Sequence, residues 1–304
     1  MKKPLLSLAF ATALSISGFA QSEAENVTEA DTLDASAFQN QIMEALAIDS
    51  SFTYQYGKVD ISNGLATLNV PEGYKFLDAE QSQYVLSDLW GNPPDESTLG
   101  MLFREEDSPI LGNLYAIEIS YSDDGYIEDD DAADLDYAEL MEELQQDTEE
   151  ENGMRVAQGY PSVSLVGWAA EPYYDANTKK LHWAKEIAFD GEEENTLNYN
   201  IRILGRNGYL MLNAISEINA LDSVNADIEP ILASVNFNEG NRYSDFDSSI
   251  DKVAAYGVGG LIAGKILSKV GFFAVLAKFW KFIFLGIAGL FGAFKKKIFG
   301  SSEA

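Results

Sequence analysis

Two Asn-Gly pairs, each lying between runs of β-forming residues, constrain this chain more than any other feature. Ser62-Asn63-Gly64 separates Lys58–Ile61 from Leu65–Val70. Arg206-Asn207-Gly208 separates Thr196–Leu204, which alternates Leu197, Tyr199, Ile201 and Ile203, from Tyr209–Ile215. Asn-Gly tolerates the positive φ angles of a tight reversal, so both sites predict hairpins and hence antiparallel pairing. Further alternating or apolar runs at Leu114–Tyr121, Val163–Ala170, Leu181–Phe189 and Val235–Phe237 bring the expected strands to about eight. Asp123-Asp124-Gly125 and Asp175-Ala176-Asn177 supply further turns.

Helical periodicity occupies the spaces between these runs. Phe38, Ile42 and Leu46 form a stripe in Ala35–Ile48. Asp78 with Gln81 reads as a capping box opening a helix that ends at Trp90-Gly91, after which Asn92-Pro93-Pro94 forms a rigid loop. The acids Glu128 to Asp131 suit the positive end of a helix over Ala132–Thr148, striped by Leu135, Leu140 and Leu144. Leu221–Ser234 is a fourth helix. The fold class is therefore α+β: a largely antiparallel sheet with about four helices, followed by a C-terminal transmembrane helix or helical hairpin. No Gly/Ser/Pro-rich linker divides residues 36–240, which are read as one domain, and no repeat of 20–50 residues is visible.

Both ends read as targeting segments. Lys2 and Lys3 precede the apolar run Leu5–Phe19, and Gly18-Phe19-Ala20 offers small residues before a cleavage site. Residues 1–20 thus read as a secretory signal peptide, and 21–35 as an acidic leader. Residues 241–252 read as a juxtamembrane connector, 253–297 as a membrane-embedded anchor and 298–304 as a tail. The apolar stretch Val253–Phe294 is interrupted by Lys265, Lys269, Lys278 and Lys281. A lysine at mid-bilayer costs ~2.5–3.5 kcal/mol, so these positions matter. One arrangement is an interfacial helix followed by a tilted span over 271–294. The other is a hairpin bending near Lys278–Lys281, whose second arm, Phe282–Phe294, is short against the ~20 residues of a full span. The single span is preferred, because Lys295-Lys296-Lys297 would then lie in the cytoplasm and the domain in the periplasm. Gly260 and Gly264 form a GxxxG spacing suited to membrane helix packing, and Trp280 with Lys281 reads as an interfacial anchor. Gly257-Val-Gly259 is not a nucleotide loop: no strand precedes it and no GK[ST] follows.

Charge separates the two regions. The whole chain is at −29, but residues 21–252 hold 48 acidic against 11 basic side chains, a net −37. Residues 253–304 hold seven lysines and one glutamate, a net +6. Nucleic acid is excluded as a partner of the domain, because phosphates need a basic face. There are no cysteines, hence no disulfides and no thiolate metal site.

Catalytic constellations are hard to find. His182 is the only histidine, so Ser-His-Asp hydrolysis would rest entirely on it; no G-x-S-x-G elbow is present, and Ser164 in Gly159–Ser164 does not match one. Zinc enzymes need more His or Cys ligands than exist here. Asp123-Asp124 and Glu128-Asp129-Asp130-Asp131 offer oxygen ligands, so calcium is the one cofactor left open, but the EF-hand spacing is missing; they read as solvated turns and helix caps, as does Glu192–Glu194. The densest functional signal is Gly167–Asp175 with Leu181–Glu186. It gathers Trp168, Tyr174, Asp175, Trp183, Lys185 and Glu186 around one hairpin as a candidate aromatic binding edge, with Arg202 on a neighbouring strand. Glu186 and Arg202 are expected to form a cross-strand ion pair.

Four stretches carry a resemblance: Leu89-Trp-Gly-Asn-Pro-Pro94; Asp124-Gly-Tyr-Ile-Glu-Asp-Asp-Asp-Ala132; Gly167-Trp-Ala-Ala-Glu-Pro-Tyr-Tyr-Asp175 with Leu181-His-Trp-Ala-Lys-Glu186; and Asn198-Tyr-Asn-Ile-Arg202 through Asp251-Lys-Val-Ala-Ala-Tyr-Gly257. The chain resembles the bacterial membrane-anchored proteins grouped as domain-of-unknown-function family 2167. His182 falls where that resemblance leads one to expect Tyr. The resemblance implies an envelope location and single-domain extent, and offers no catalytic residues to transfer. The expectation is an inner-membrane-anchored envelope protein acting as a non-enzymatic binding or assembly module for another envelope protein or a wall component. One alternative is an accessory subunit of an inner-membrane complex acting through Gly260 and Gly264. A second is a carboxylate-dependent or divalent-cation-dependent hydrolase using Asp175 and Glu186.

Overall fold

In the Ser62-Asn63-Gly64 turn all three residues take positive φ (52°, 53° and 90°), and the chain reverses there. The computed structural model describes residues 39–40, 42–92, 94–157 and 160–264. The expected signal peptide and acidic leader, Trp280, Lys281 and the choice between single span and hairpin lie outside the described residues. The strands are β1 (Lys58–Ile61), β2 (Ala66–Asn69), β3 (Tyr74–Asp78), β4 (Thr98–Arg104), β5 (Ala116–Ser122), β6 (Val163–Asp175), β7 (Lys180–Phe189), β8 (Thr196–Leu204), β9 (Tyr209–Glu217) and β10 (Val235–Phe237). They form a three-stranded sheet in the order β1-β2-β10 and a seven-stranded sheet in the order β3-β4-β5-β9-β8-β7-β6. Every pairing between these strands is antiparallel. The α+β class expected from the sequence is thus the one found.

The helices are α1 (Ala79–Gln83), continued by a π-helix (Tyr84–Leu89), then α2 (Tyr137–Ala157), α3 (Leu221–Ser234) and α4 (Val258–Ala263); residues 42–49 are also helical. Asp78 caps α1, its Oδ1 accepting the Gln81 N–H at 3.0 Å, but the expected box is not closed, because the Gln81 side chain bonds the Thr53 backbone instead. The helix placed at 132–148 is displaced. Asp136 accepts the amides of Ala138 and Glu139, and the helix runs from Tyr137 to Ala157. The acids before it are engaged elsewhere. β3 and β4 are strands that the sequence pattern did not reveal.

Residue parity divides the large sheet into two faces. One face carries Ile117, Ile119, Tyr199, Ile201, Ile203, Leu210 and Leu212 into the main core, against β1, β2, β10 and the Val224, Ile228 and Ile231 side of α3. The other face has three covers. α1 and the π-helix bring Val85 and Leu86 onto Leu77, Met101 and Phe103. α2 brings Met141 and Leu144 onto Val163, Leu165, Ile187 and Phe189. Between them α4 brings Val258, Leu261 and Ile262 onto Leu181, Trp183, Leu204 and Tyr209. The outermost strand, β6, has three register shifts and contains Pro172, features that blunt an edge against pairing with other chains.

Residues 241–264, read from the sequence as a connector and the start of an anchor, pack into this domain. Tyr126 and Val253 form a parallel bridge, and Val258 is wholly buried. Apolar spacing at 258, 261 and 262 suits a helix face buried in protein as well as one in lipid. Among the described residues no helix is long and apolar enough to cross a membrane.

Candidate functional site: a cationic seam between two helical covers

Strand order brings residues far apart in sequence into one row. Glu118 of β5 is in register with Asn213 of β9, Asn213 with Asn200 of β8, and Asn200 with Trp183 of β7. All four lie on the helix-covered face, as do Asn198, Arg202 and Lys185. The centre of this face is therefore polar and charged, although Glu118, Lys185, Asn198 and Asn200 are buried. Buried polar groups of this kind need partners. Thr98 donates its hydroxyl to Glu118 Oε1 (2.7 Å), and Asn200 Nδ2 donates to Asn198 Oδ1 (2.6 Å). Arg202 donates from NH1 to the Ile201 carbonyl (2.8 Å) and to Asn213 Oδ1 (2.9 Å), and from NH2 to Asn200 Oδ1 (3.3 Å). Its guanidinium carbon stands 5.2 Å from the centroid of the Trp183 ring, a cation–π contact.

Lys185 Nζ reaches the carbonyl of Ile262 at 3.4 Å, placing an amine at the C-terminal end of α4. Burial drives the Lys185 amine down to about 7, and the nearby Arg202 charge adds to that. Burial also lowers Arg202, to about 10, against the opposing pull of Tyr209, Glu118 and Tyr256. For Glu118, burial raises the carboxyl above its ordinary value, and the Thr98 hydrogen bond and the Arg202 charge offset it only in part. The Trp183 indole N–H is buried with no acceptor among the described residues, a condition that costs ~1–3 kcal/mol.

Of the residues expected to form a binding edge, Trp183, Lys185 and Arg202 converge here. Trp168 borders the group: it is in register with Lys185, and its indole N–H donates to the Tyr137 carbonyl at 3.0 Å. Tyr174 lies further out, donating to Asp129 Oδ2 at 2.7 Å. Asp175 is a turn residue. Its carboxylate accepts the Asn177 amide and the Thr178 hydroxyl, which hold it below its ordinary value, the hydroxyl contributing most. Glu186 is on the opposite face, one residue out of phase with Lys185, and accepts from Asn195 Nδ2 at 2.6 Å. The expected Glu186–Arg202 pair is not formed, because Glu186 registers with Leu197 and Arg202 with Leu181. His182 also faces the other way, its Nδ1 3.0 Å from the Tyr199 hydroxyl. Gly260 lies in α4, where a Cβ would come 2.7 Å from Tyr256 Cβ; Gly264 ends α4 in the left-handed conformation, φ 68°.

The acidic stretch weighed as a calcium site is engaged in holding the C-terminal segment. Asp124 accepts from the hydroxyls of Ser122 and Tyr256. Asp129 accepts from Tyr174, Tyr243 and Lys179. Burial alone would raise its carboxyl, but these three donors bring it below the ordinary value. Asp131 accepts the backbone amides of Val258 (2.9 Å) and Gly259 (2.8 Å), the first turn of α4. Thr98, Glu118, Asn198, Asn200 and Asn213 were not anticipated as site residues. The alternation of Asn198, Asn200 and Arg202 in an otherwise apolar strand was the available signal.

This is an α+β domain of two antiparallel sheets, with a polar seam buried under helices. The chain belongs to the family described as "Protein of unknown function (DUF2167)", whose model matches residues 53–292. No curated protein matches it. Among solved structures it is similar to the Ran-binding protein Mog1p of Saccharomyces cerevisiae, at 10% identity and TM-score 0.35, covering 65% of this chain and 100% of that one. It is also similar to the cyanobacterial PsbP of Synechocystis sp. PCC 6803 (9%, TM-score 0.33, 61% and 92%). A third is LpqN of Mycobacterium tuberculosis, described as involved in cell envelope biogenesis (12%, TM-score 0.29, 71% and 99%).

Proposed function

We propose that this protein is a non-enzymatic binding or assembly module of the bacterial envelope, its domain periplasmic and held at the inner membrane by the apolar sequence beyond the domain. One observation carries the reading: α4, where that apolar sequence begins, is seated in the domain. Asp131 caps its first turn, Lys185 meets its last, and Val258, Leu261 and Ile262 fill the space between. A domain joined to its tether through a packed helix has a defined orientation, which suits presenting a surface to an envelope partner. The carboxylates that a hydrolase would need are occupied: Asp175 holds a turn and Glu186 is tied to Asn195 on the other face.

The test is digestion of intact spheroplasts carrying a tag after Ala304. External protease is expected to destroy the domain and leave the tag. Survival of the domain, with digestion only after lysis, would overturn the location. Crosslinking of the full chain in whole envelopes is then expected to recover one defined protein or wall fragment repeatedly. Recovery of nothing in replicate experiments would overturn the module reading.

A further inference from the structure

The helical covers leave a seam on the large sheet. Along β9, Met211 packs into the cluster under α4 and Ile215 into the cluster under the π-helix. Asn213 stands between them and accepts from Arg202 NH1. Met211, Asn213, Ile215 and Arg202 each retain accessible surface, whereas their neighbours Glu118, Asn198 and Asn200 are buried. Arg202 is surrounded by protein yet not sealed, so it lies at the base of a recess and not on an open surface.

The chemistry of the recess is that of an acceptor-poor cation site. All three hydrogen-bond acceptors of Arg202 are neutral oxygens, and none of the three bonds uses Nε. A guanidinium carries five N–H donors. The Trp183 ring packs on it, with a buried N–H that has no acceptor among the described residues. The one acid of the row, Glu118, accepts from Thr98. Met211 and Ile215 give the accessible side of the seam an apolar wall, while the Trp183 ring is buried against the guanidinium. The domain around it is strongly acidic, with a net −37 over residues 21–252, and repels multiply charged anions far more than singly charged ones.

We infer that the seam between α4 and the π-helix binds a small organic monocarboxylate, its carboxylate on Arg202 and its apolar body against Met211 and Ile215. A planar carboxylate matches the fork of a guanidinium, whose Nε is not used by the three bonds above. Glu118 and Thr98 close the polar end, and Asn200 and Asn213 hold the guanidinium in place. This inference rests on reading the domain as a binding module and gives that module its ligand class.

The experiment is titration of the purified full chain in detergent with hexanoate, followed by calorimetry and tryptophan fluorescence. Hexanol and inorganic phosphate serve as controls. Saturable hexanoate binding at one site is expected, with no binding of hexanol and no displacement by phosphate. Arg202→Met should weaken it about tenfold, the loss of one charge-assisted contact. Should that variant fail to unfold cooperatively, Met211→Trp carries the test: it fills the seam from its accessible side and should abolish binding. Absence of saturable hexanoate binding, unchanged affinity in a folded variant, or phosphate binding as tightly as hexanoate would each overturn the inference. Spheroplast digestion does not depend on the seam. Failed titration with an exposed domain therefore removes the ligand and leaves the envelope reading, while binding with a protected domain does the reverse.

Discussion

Asp131 occupies the space that a side chain at Gly257 would need. A Cβ on Gly257 would come within 2.5 Å of Asp131 Oδ1, and the same carboxylate accepts the amides of the next two residues. The glycine-rich Gly257-Val-Gly259 is thus a docking surface for an aspartate. Gly257→Ala should displace the carboxylate and unseat α4 while leaving the main core intact. Asp131→Ala should cost about 1 kcal/mol by loss of the cap. Thermal unfolding of both, with limited proteolysis near residue 257, checks this. Wild-type stability in the alanine variants would refute the cap.

Arg206, at the β8–β9 turn, holds Asp251 through Nε at 2.7 Å and NH2 at 3.0 Å. Asp251 sits just before the bridge in which Tyr126 donates to Lys252 and Ala254 donates to Tyr126, both at 2.8 Å. Arg206→Ala should lower global stability modestly, since Arg206 is partly open to solvent while the Asp251 side chain it leaves behind is largely covered. It should speed hydrogen exchange at the amides of Tyr126 and Ala254 by several-fold, and Arg206→Lys should rescue this only in part because it cannot grip both oxygens. Unchanged exchange at those two amides would show that the ion pair does not hold the segment.

The strand ends of β1 and β8 match the sequence reading because turn chemistry is local. Ser62-Asn63-Gly64 and Asn207-Gly208 act within a few residues of themselves. β4 was invisible for a physical reason: Thr98, Gly100, Met101, Leu102 and Phe103 are all buried, so the strand has no alternation to read. β3 is five residues caught between a turn and the cap residue Asp78. The acids at 128–131 suggested a helix start, but Asp129 and Asp131 accept hydrogen bonds from residues more than forty positions away. The site divides similarly. Trp183 and Lys185 share a face by parity, and the same parity sends Glu186 to the other side. That Glu118 joins them depends on β9 lying between β5 and β8, a long-range fact that no local pattern contains.

Glu118 is a buried acid whose folded pKa lies above its unfolded value. The folded state keeps a proton that the unfolded chain gives up. Stability is therefore lost as pH rises from near the ordinary carboxyl value of 4.5 through the folded value, and the full loss is present above it. Glu118→Gln keeps an oxygen for the Thr98 hydroxyl and removes the charge. It should stabilise the protein at pH 7 by about 1–3 kcal/mol, and the gain should shrink as the wild-type acid is protonated. Unfolding of both proteins between pH 4 and 8 measures this. A glutamine variant less stable at pH 7 would mean that the charge is held by Arg202 more strongly than burial opposes it.

Lys185 runs in the opposite sense. Its folded value near 7 lies below the unfolded 10.5, so between these the unfolded chain holds a proton that the folded state has released. Stability then rises with pH across that window, and at pH below about 7 both states are charged and the penalty is constant. Lys185→Met removes the titration and, with it, the contact to the Ile262 carbonyl, a loss that does not vary with pH. Relative to the variant, wild type should therefore lose Tm as pH falls from 10 to 7, on the order of 2–4 °C for each kcal/mol, and then level off. Calorimetry on the pair at half-unit intervals would show this slope. A difference in Tm that stays flat from pH 7 to 10 would mean that the amine remains charged beneath α4, with the end of that helix supplying enough negative potential to keep it so.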